Sequence, residues 1–151
     1  MSPKIGTMLI GIVTFVSAFL ALFPVRRFNR RPLFVGGHGL LGLLLSFVAL
    51  FAYYGIGNGV LISMLLMLSV FQSSVGPLTW IYVTEIASDS ALGFAMLAYK
   101  GALLLVSSTT EFLMDSPLTP AGVFMMFATF TTIGCIFHFS FMKETKHLTD
   151  K

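Results

Sequence analysis

The sequence predicts an all-α membrane protein built from five transmembrane helices. Of its 151 residues, 56% are hydrophobic and only 10% are charged, whereas roughly 25% of the residues in soluble domains are charged. A soluble chain of this length could not bury so much apolar surface, and the mean hydropathy of +0.92 is typical of bilayer proteins. Five apolar runs are long enough to cross a membrane, near residues 5 to 25, 33 to 54, 60 to 86, 92 to 114 and 120 to 142.

Short polar or Gly/Pro-rich linkers join these runs, so we expect residues 1–151 to form a single helical bundle. Basic residues are distributed unevenly among the linkers. On the predicted topology, one membrane face receives only Lys4, Lys100 lies within the fourth run, and the other face receives Arg26, Arg27, Arg30, Arg31, Lys143, Lys146 and Lys151. Because loops rich in Lys and Arg stay in the cytoplasm, the N-terminus should lie outside and the C-terminus in the cytoplasm.

The composition disfavours several classes of function. The net charge of +3 is small and gives no reason to expect a nucleic-acid partner. His38 and His138 lie singly within apolar runs, and Cys135 is the only cysteine, so we expect packed side chains rather than a metal site. No acid/base pair or nucleophile constellation has a suitable spacing, and we therefore expect neither an enzyme nor a cofactor.

The third run is interrupted by Gly76-Pro77, and we expect the helix there to line a cavity. Proline removes a backbone donor and loosens the preceding turn, which lipid tolerates only where the helix faces protein or water. Trp80 follows within one turn, and Glu85 lies near the end of the run. Since Trp80 is about 7 to 8 Å deeper than Glu85, its depth favours a cavity-facing ring over an interfacial anchor. This order of break, aromatic ring and carboxylate indicates a transport path.

Three motifs, in this order, resemble those of the sugar-porter branch of the major facilitator superfamily. They are the arginine turn ending in Arg30-Arg31-Pro32-Leu33, the Gly76-Pro77 pair followed by Trp80 and Glu85, and the ending Lys143-Glu-Thr-Lys146. The resemblance covers essentially the whole chain and implies that its runs are helices eight to twelve, most of the C-terminal half of the fold. It also implies transport of a hexose-like solute across the lipid bilayer by alternating access, with the remaining transporter half as a partner.

The same resemblance implies a substrate site around the break in the third run. The family's tryptophan at the position of Trp80 lies beneath the sugar, whose C–H faces stack on aromatic rings. Gly76, Pro77 and Thr79 belong to the same stretch. Thr14 aligns with an asparagine that hydrogen-bonds the sugar in the family, although a threonine within a helix often bonds its own helix carbonyl instead. Relatives often have an Asn-Trp pair in the fourth of these helices, and this chain lacks one there.

The resemblance also implies a charge cluster on the cytoplasmic side. In related transporters the glutamate that matches Glu85 joins the arginines of the preceding turn, and the cluster ties the helices together when the inner gate is shut. This role is expected here for Arg27, Arg30 and Arg31. Glu144, from the final motif, is expected to join them. A carboxylate at the end of a span is costly unless it is paired or reaches water, so Glu85 either has a partner or marks the membrane interface.

The arginine turn departs from the family pattern at two positions. Arg26 replaces an acidic residue, which removes one local partner for the arginines, and Asn29 replaces a glycine. Asparagine tolerates a left-handed backbone better than most residues, so the turn can survive. Two arginine pairs in one short turn can also reach the phosphates of lipid headgroups, or reflect topology alone. The family further has an arginine after the glutamate, and none follows Glu85 in residues 87 to 92.

A different class of function stays open. The departures, and a length below half that of the usual transporter, also fit a non-transporting membrane interaction protein. Such a degenerate fragment would associate with full-length transporters through the small-residue faces of its helices. A third possibility is a gene model that begins too late, so that the true protein is a complete transporter. The retained Gly76, Pro77, Trp80 and Glu85 favour transport.

Overall fold

The computed structural model describes residues 3–115 and 119–144, and these residues form a bundle of helices. Five helical spans are long and apolar enough to cross a membrane, which confirms the predicted all-α, five-span fold. Numbered in chain order, they are Lys4–Arg27, Arg30–Tyr53, Gly57–Ile86, Asp89–Met114 and Pro120–Phe141. Large apolar side chains such as Phe15, Phe94 and Phe141 are exposed, as expected for surfaces that face lipid.

The first span, predicted as one helix, consists of α1 (Pro3–Leu20) and α2 (Leu22–Arg27). Pro24 has no N–H to donate to the Leu20 carbonyl four residues earlier, which accounts for the irregular turn between them. Ala21 keeps helical dihedral angles, with φ −56° and ψ −30°, so the chain stays helical through this junction. The span ends at Phe28, whose backbone is extended.

The second span is α3 (Arg30–Tyr53), which begins three residues before the predicted position 33. Pro32 is the third residue of this helix, where backbone N–H groups have no partner within the helix, so its missing donor does no harm there. The turn that follows α3 contains Gly55 with φ +69°. That left-handed conformation favours glycine and lets the chain reverse into the third span.

The third span contains α4 (Gly57–Val70), a π-helical turn (Phe71–Val75) and α5 (Gly76–Ile86). The π-helical turn lies directly before the Gly76-Pro77 pair, where the sequence predicts a break. Gly76 donates its N–H to the Phe71 carbonyl, five residues earlier. Because Pro77 cannot donate, the regular ladder of the α-helix is interrupted there. The break takes the form of one wider turn, and the span remains helical throughout.

The fourth and fifth spans are α6 (Asp89–Met114) and α7 (Pro120–Phe141). The core of the bundle forms where the second span packs against the third and fifth spans. A cluster of buried apolar side chains marks it: Phe34, Leu41, Val75, Leu78 and Met142. None of the described residues of α6 is buried. The fourth span therefore lies at the margin of the bundle.

The second span approaches the π-helical turn closely at Gly37. A β-carbon at this position would lie 2.5 Å from Ser74 Oγ and 3.0 Å from Val75 Cγ2. Only a glycine therefore allows the two helices to approach this far, as is common between membrane helices. The contact holds the break of the third span against the core.

Candidate functional site

A cleft of about 400 Å³ opens beside the π-helical turn, and residues from three spans line it. The third span supplies most of the lining, while the first and fourth spans supply one residue each. The lining residues are Ala18, Phe71, Gln72, Gly76, Pro77, Thr79, Trp80 and Tyr99. Four of the five residues that the sequence argument assigned to a substrate site therefore share one cavity.

The π-helical turn changes the main-chain hydrogen bonding of a residue in the wall of this cleft. The Gln72 carbonyl would accept a hydrogen bond from Gly76 in an α-helix, or from residue 77 in a π-helix. Gly76 donates instead to Phe71, and Pro77 has no N–H. These two donors therefore do not reach the Gln72 carbonyl, and Gln72 is one of the residues that line the cleft.

Two aromatic rings meet in the cleft. The ring centroids of Trp80 and Tyr99 lie 5.1 Å apart with an interplanar angle of 87°, an edge-to-face arrangement that aromatic pairs prefer. Tyr99 belongs to the fourth span, so this contact joins the marginal helix to the third span. The ammonium of Lys100 lies 5.9 Å from the centroid of the Tyr99 ring. The cleft thus combines an aromatic surface with the polar atoms of Gln72.

The two predicted threonines differ in position. Thr79 lines the cleft, and its hydroxyl donates to the Val75 carbonyl at 2.7 Å. Thr14 donates to the Ile10 carbonyl at 2.7 Å, the alternative that its position within a helix allows. The cleft lining does not include Thr14, which lies one helical turn before Ala18 on the same face of α1. Each hydroxyl oxygen keeps its capacity to accept a hydrogen bond.

Sequence reasoning missed Gln72 and Tyr99. Gln72 stands four residues before Gly76, so the two share a helix face, and this spacing was a usable signal. Tyr99 offered no comparable signal. The sequence of the fourth run does not indicate which of its faces turns toward the third span.

An ion pair joins the second and third spans at the end of the bundle that carries the four arginines 26, 27, 30 and 31, which we call the Arg-rich end. Arg30 Nη2 lies 2.9 Å from Glu85 Oε1, and the two side chains are only 16% and 13% exposed. Arg30 also donates from Nη1 to the Val25 carbonyl at 3.3 Å. Charge-assisted bonds in a partly buried site are stronger than those in water. Glu85 therefore has the partner that its position demands.

Glu144 binds the start of the second span. Its Oε1 accepts the Arg30 N–H at 3.0 Å, and its Oε2 accepts the Arg31 N–H at 3.1 Å. Asn29, at the helix cap, makes no side-chain capping bond. A carboxylate at this position satisfies N–H groups that have no partner in the helix, and it complements the positive end of the helix dipole. Glu144, expected beside the arginines, accepts hydrogen bonds from the main-chain amides of Arg30 and Arg31.

The other arginines take different positions. Arg31 donates from Nη2 to the Phe139 carbonyl at 2.7 Å, which links the second and fifth spans. The Arg27 guanidinium lies 5.8 Å from the centroid of the Phe23 ring on its own helix. Within the third motif, Lys143 and Glu144 are described, while residues 145 and 146, and also Lys151, lie outside the described residues.

The histidines that appear isolated in the sequence meet in the structure. The ring centroids of His38 and His138 lie 4.8 Å apart, and both rings pack against Phe34. Cys135 donates to the Val35 carbonyl at 3.4 Å. Among residues 3–115 and 119–144, no group of three or more His, Cys, Asp or Glu side chains is placed to hold a metal ion.

Comparisons with known proteins agree with this architecture. The family model described as "Sugar (and other) transporter" matches residues 1–150. The chain is 29% identical over 150 residues to the glucose transporter GlcP of Staphylococcus epidermidis, covering 94% of this chain and 33% of that protein. It is 30% identical over 152 residues to the D-xylose-proton symporter-like 2 of Arabidopsis thaliana, covering 95% and 29% respectively.

A solved structure shows the same fold. The xylose transporter XylE from E. coli, in a partially occluded inward-open conformation, superposes with a TM-score of 0.84 at 26% identity, covering 94% of this chain and 33% of XylE. The five apolar spans are those of an integral membrane protein. This chain belongs to the Sugar (and other) transporter family. It spans about a third of the length of the curated relatives it matches.

Proposed function

We propose that this chain forms one wall of a sugar-transport path and contributes to moving a hexose-like solute across the membrane by alternating access. The observation that carries this proposal is the cleft beside the π-helical turn, where Trp80, Gln72 and Thr79 line one cavity. Further support comes from family membership and from relatives that are named as glucose and xylose transporters.

The cleft has the mixed chemistry that a sugar requires. The faces of the Trp80 and Tyr99 rings, set at 87° to each other, offer apolar surface to the C–H face of a pyranose ring. Sugar hydroxyls would donate to the Gln72 carbonyl and exchange hydrogen bonds with its side-chain amide. The Thr79 hydroxyl, whose proton is held by the Val75 carbonyl, would act as an acceptor.

Alternating access needs a second wall. Transporters of this kind bind substrate near the membrane midplane, between two helical halves that rock against each other. This chain would supply most of one half, consistent with its share of about a third of the relatives' length. The remaining helices would come from the rest of the protein or from a partner chain.

We assign to the charge cluster the role of holding the cytoplasmic end closed. The Arg30–Glu85 pair joins the second and third spans, and Glu144 joins the fifth span to the second. With the N-terminus outside and the C-terminus in the cytoplasm, as the distribution of basic residues favours, the Arg-rich end faces the cytoplasm. Opening toward the cytoplasm would then move these three spans together or break the bonds between them.

The fluorescence of Trp80 tests whether the cleft binds a sugar. Trp80 is the only tryptophan in the chain, so its fluorescence reports on the cleft. The full chain in lipid nanodiscs is titrated with D-glucose, D-xylose and the acyclic alcohol mannitol. We expect a saturable change of emission with a pyranose sugar and none with mannitol. Gln72→Ala should weaken the response several-fold, whereas Leu104→Ala, at an exposed position of the fourth span, should not. A folded chain that responds to no sugar, even when the remaining helices are present, would contradict the proposal.

A second candidate function is that of a membrane interaction protein, favoured by the fourth span with no buried residue along α6. Membrane helices associate through close packing, and an unpacked span can serve that purpose. A tag on the chromosomal C-terminus and a blot of the membrane fraction distinguish the two candidates. A band about three times the 16.5 kDa of this chain would indicate a complete transporter. A band near 16.5 kDa would favour the interaction protein, and crosslinking would then identify its partner. Uptake by the purified chain alone would contradict the need for a partner.

A further inference from the structure

A second cleft, of about 500 Å³, lies on the first span at the Arg-rich end. Its lining has two parts, an apolar part from the junction of α1 and α2 and a basic part from the last turn of α2. The lining residues are Phe19, Leu20, Leu22, Phe23, Arg26 and Arg27. This cleft shares no lining residue with the cleft beside the π-helical turn.

Helical spacing orders these side chains from apolar to basic along the span. Phe19, Phe23 and Arg27 follow one another at intervals of four residues, so they lie on one face of the helix. Leu22 and Arg26 repeat the same step beside them. The Arg27 guanidinium lies 5.8 Å from the centroid of the Phe23 ring. The groove therefore runs from hydrocarbon-like surface to two guanidinium groups over about two turns of helix.

The apolar part of the groove is open to its surroundings. Phe19 and Phe23 are 64% and 65% exposed, and they form an apolar surface of the kind that acyl chains can cover. Arg26 and Arg27 are exposed as well, and they occupy the last turn of α2, at the end of the membrane span. A phospholipid has the same order of parts, with acyl chains in the membrane and a phosphate at its boundary.

The pairing of two guanidiniums sets the charge of the expected occupant. Arginine binds phosphate through forked, charge-assisted hydrogen bonds. We propose that the groove binds an anionic phospholipid, with its phosphate between Arg26 and Arg27 and an acyl chain along Phe19 and Phe23. The proposal does not depend on sugar transport.

Lipid retention by the full chain, purified in detergent and observed by native mass spectrometry, tests this assignment. The probes are phosphatidylglycerol and phosphatidylcholine with identical acyl chains. We expect about fivefold tighter retention of phosphatidylglycerol for each guanidinium, and thus roughly 25-fold for the pair. Equal retention of the two lipids would overturn the proposal, and this comparison requires no variant.

Matched variants locate the site. The double variant Arg26→Gln, Arg27→Gln should lose the preference for phosphatidylglycerol. The control Lys4→Gln, Lys100→Gln removes the same charge elsewhere on the chain and should keep the preference. If the control loses the preference as well, or the arginine variant retains it, the lipid is attracted by overall charge or binds elsewhere, and the proposal fails.

Glycerol 3-phosphate separates a lipid site from a site for a soluble anion. It carries the phosphate without the acyl chains, so it should not displace phosphatidylglycerol from the groove. Phe19→Ala should lower the retention of both phospholipids while leaving the headgroup preference intact. Displacement by glycerol 3-phosphate, together with an unchanged Phe19→Ala variant, would identify a soluble-phosphate site and overturn the lipid assignment.

Discussion

The second and fourth spans are both long apolar helices, yet they hold opposite positions in the bundle. The 24-residue α3 buries seven of its residues, including Phe34, Leu41 and Val48, whereas the 26-residue α6 buries none. Both helices contain glycines. Gly37 of α3 meets Ser74 at close range, while a β-carbon at Gly101 of α6 would find open space. Small residues therefore permit close packing without causing it, and the facing side chains decide whether it occurs.

The cleft beside the π-helical turn lies between these two kinds of helix. Its third-span wall is held against the second span through Gly37 and Ser74, while Tyr99 is supplied by the unburied fourth span. A helix that shares little buried surface with its neighbours costs little to displace. We therefore expect the cleft to change shape through movement of the fourth span, with the second and third spans moving as a unit.

Removing the ion pair should have the largest effect, because it breaks the anchor of the second span. Arg30→Gln leaves the Glu85 carboxylate partly buried without its guanidinium, and we expect a loss of about 3 kcal/mol in the free energy of unfolding. Thermal unfolding in detergent, followed by circular dichroism, measures it. Lys100→Gln on the exposed face of the fourth span should change stability by less than about 0.5 kcal/mol. Equal melting temperatures for the two variants would show that the pair is not an anchor.

A single methyl group tests the close approach of the second span. In Gly37→Ala the new β-carbon would lie 2.5 Å from Ser74 Oγ, and overpacking of this kind destabilises by about 2 kcal/mol. Gly36→Ala, the neighbouring position on the same helix, and Gly101→Ala in the fourth span meet nothing within 4 Å. Both controls should be neutral or slightly stabilising, because alanine is the better helix former. If Gly37→Ala does not change stability, the second and third spans separate easily, and the second span is no more tightly packed than the fourth.

The cap on the second span should contribute less. Glu144→Gln keeps one acceptor oxygen but loses the charge and one of the two main-chain bonds, so we expect a loss of about 1 kcal/mol. Amide hydrogen exchange is the more specific measurement, since the Arg30 and Arg31 amides donate hydrogen bonds to Glu144. Their exchange should quicken in the variant, while that of amides in the middle of α6 should not. Unchanged exchange at both arginines would rule out the capping role.

Features that depend on local composition could be predicted from the sequence. The five spans follow from hydrophobic runs alone, and the break in the third span follows from a proline that lacks a donor. The apolar residues alone predict that the second span begins near residue 33. The helix in fact begins at Arg30, within the polar turn, where Glu144 satisfies its first amides.

Features that depend on how distant helices pack could not be predicted. The motifs predict that Glu85, Arg30 and Glu144 lie in one cluster. They do not predict that Glu85 binds the Arg30 guanidinium while Glu144 binds the Arg30 main-chain amide, because that depends on how residues 30 and 144 meet in the fold. The meeting of His38 with His138 has the same origin. So does the place of Tyr99 in the cleft, because the sequence of the fourth run does not reveal which of its faces turns toward the third span.

Tyr99 gives the smallest predicted effect and the most direct test of a movable wall. If the Tyr99 ring packs on the sugar as closely as aromatic rings pack on each other, it contributes about 1 kcal/mol to binding, and Tyr99→Ala should weaken sugar binding about fivefold. Tyr99→Phe keeps the ring and should bind normally. Trp80 emission reports both the binding and the loss of the neighbouring ring. Because no residue of α6 is buried, Tyr99→Ala should lower the melting temperature less than Gly37→Ala does, and Tyr99→Phe should leave it unchanged. If Tyr99→Ala instead lowers the melting temperature as much as Gly37→Ala does, the fourth span contributes to the stability of the bundle. The cleft would then be rigid on both sides.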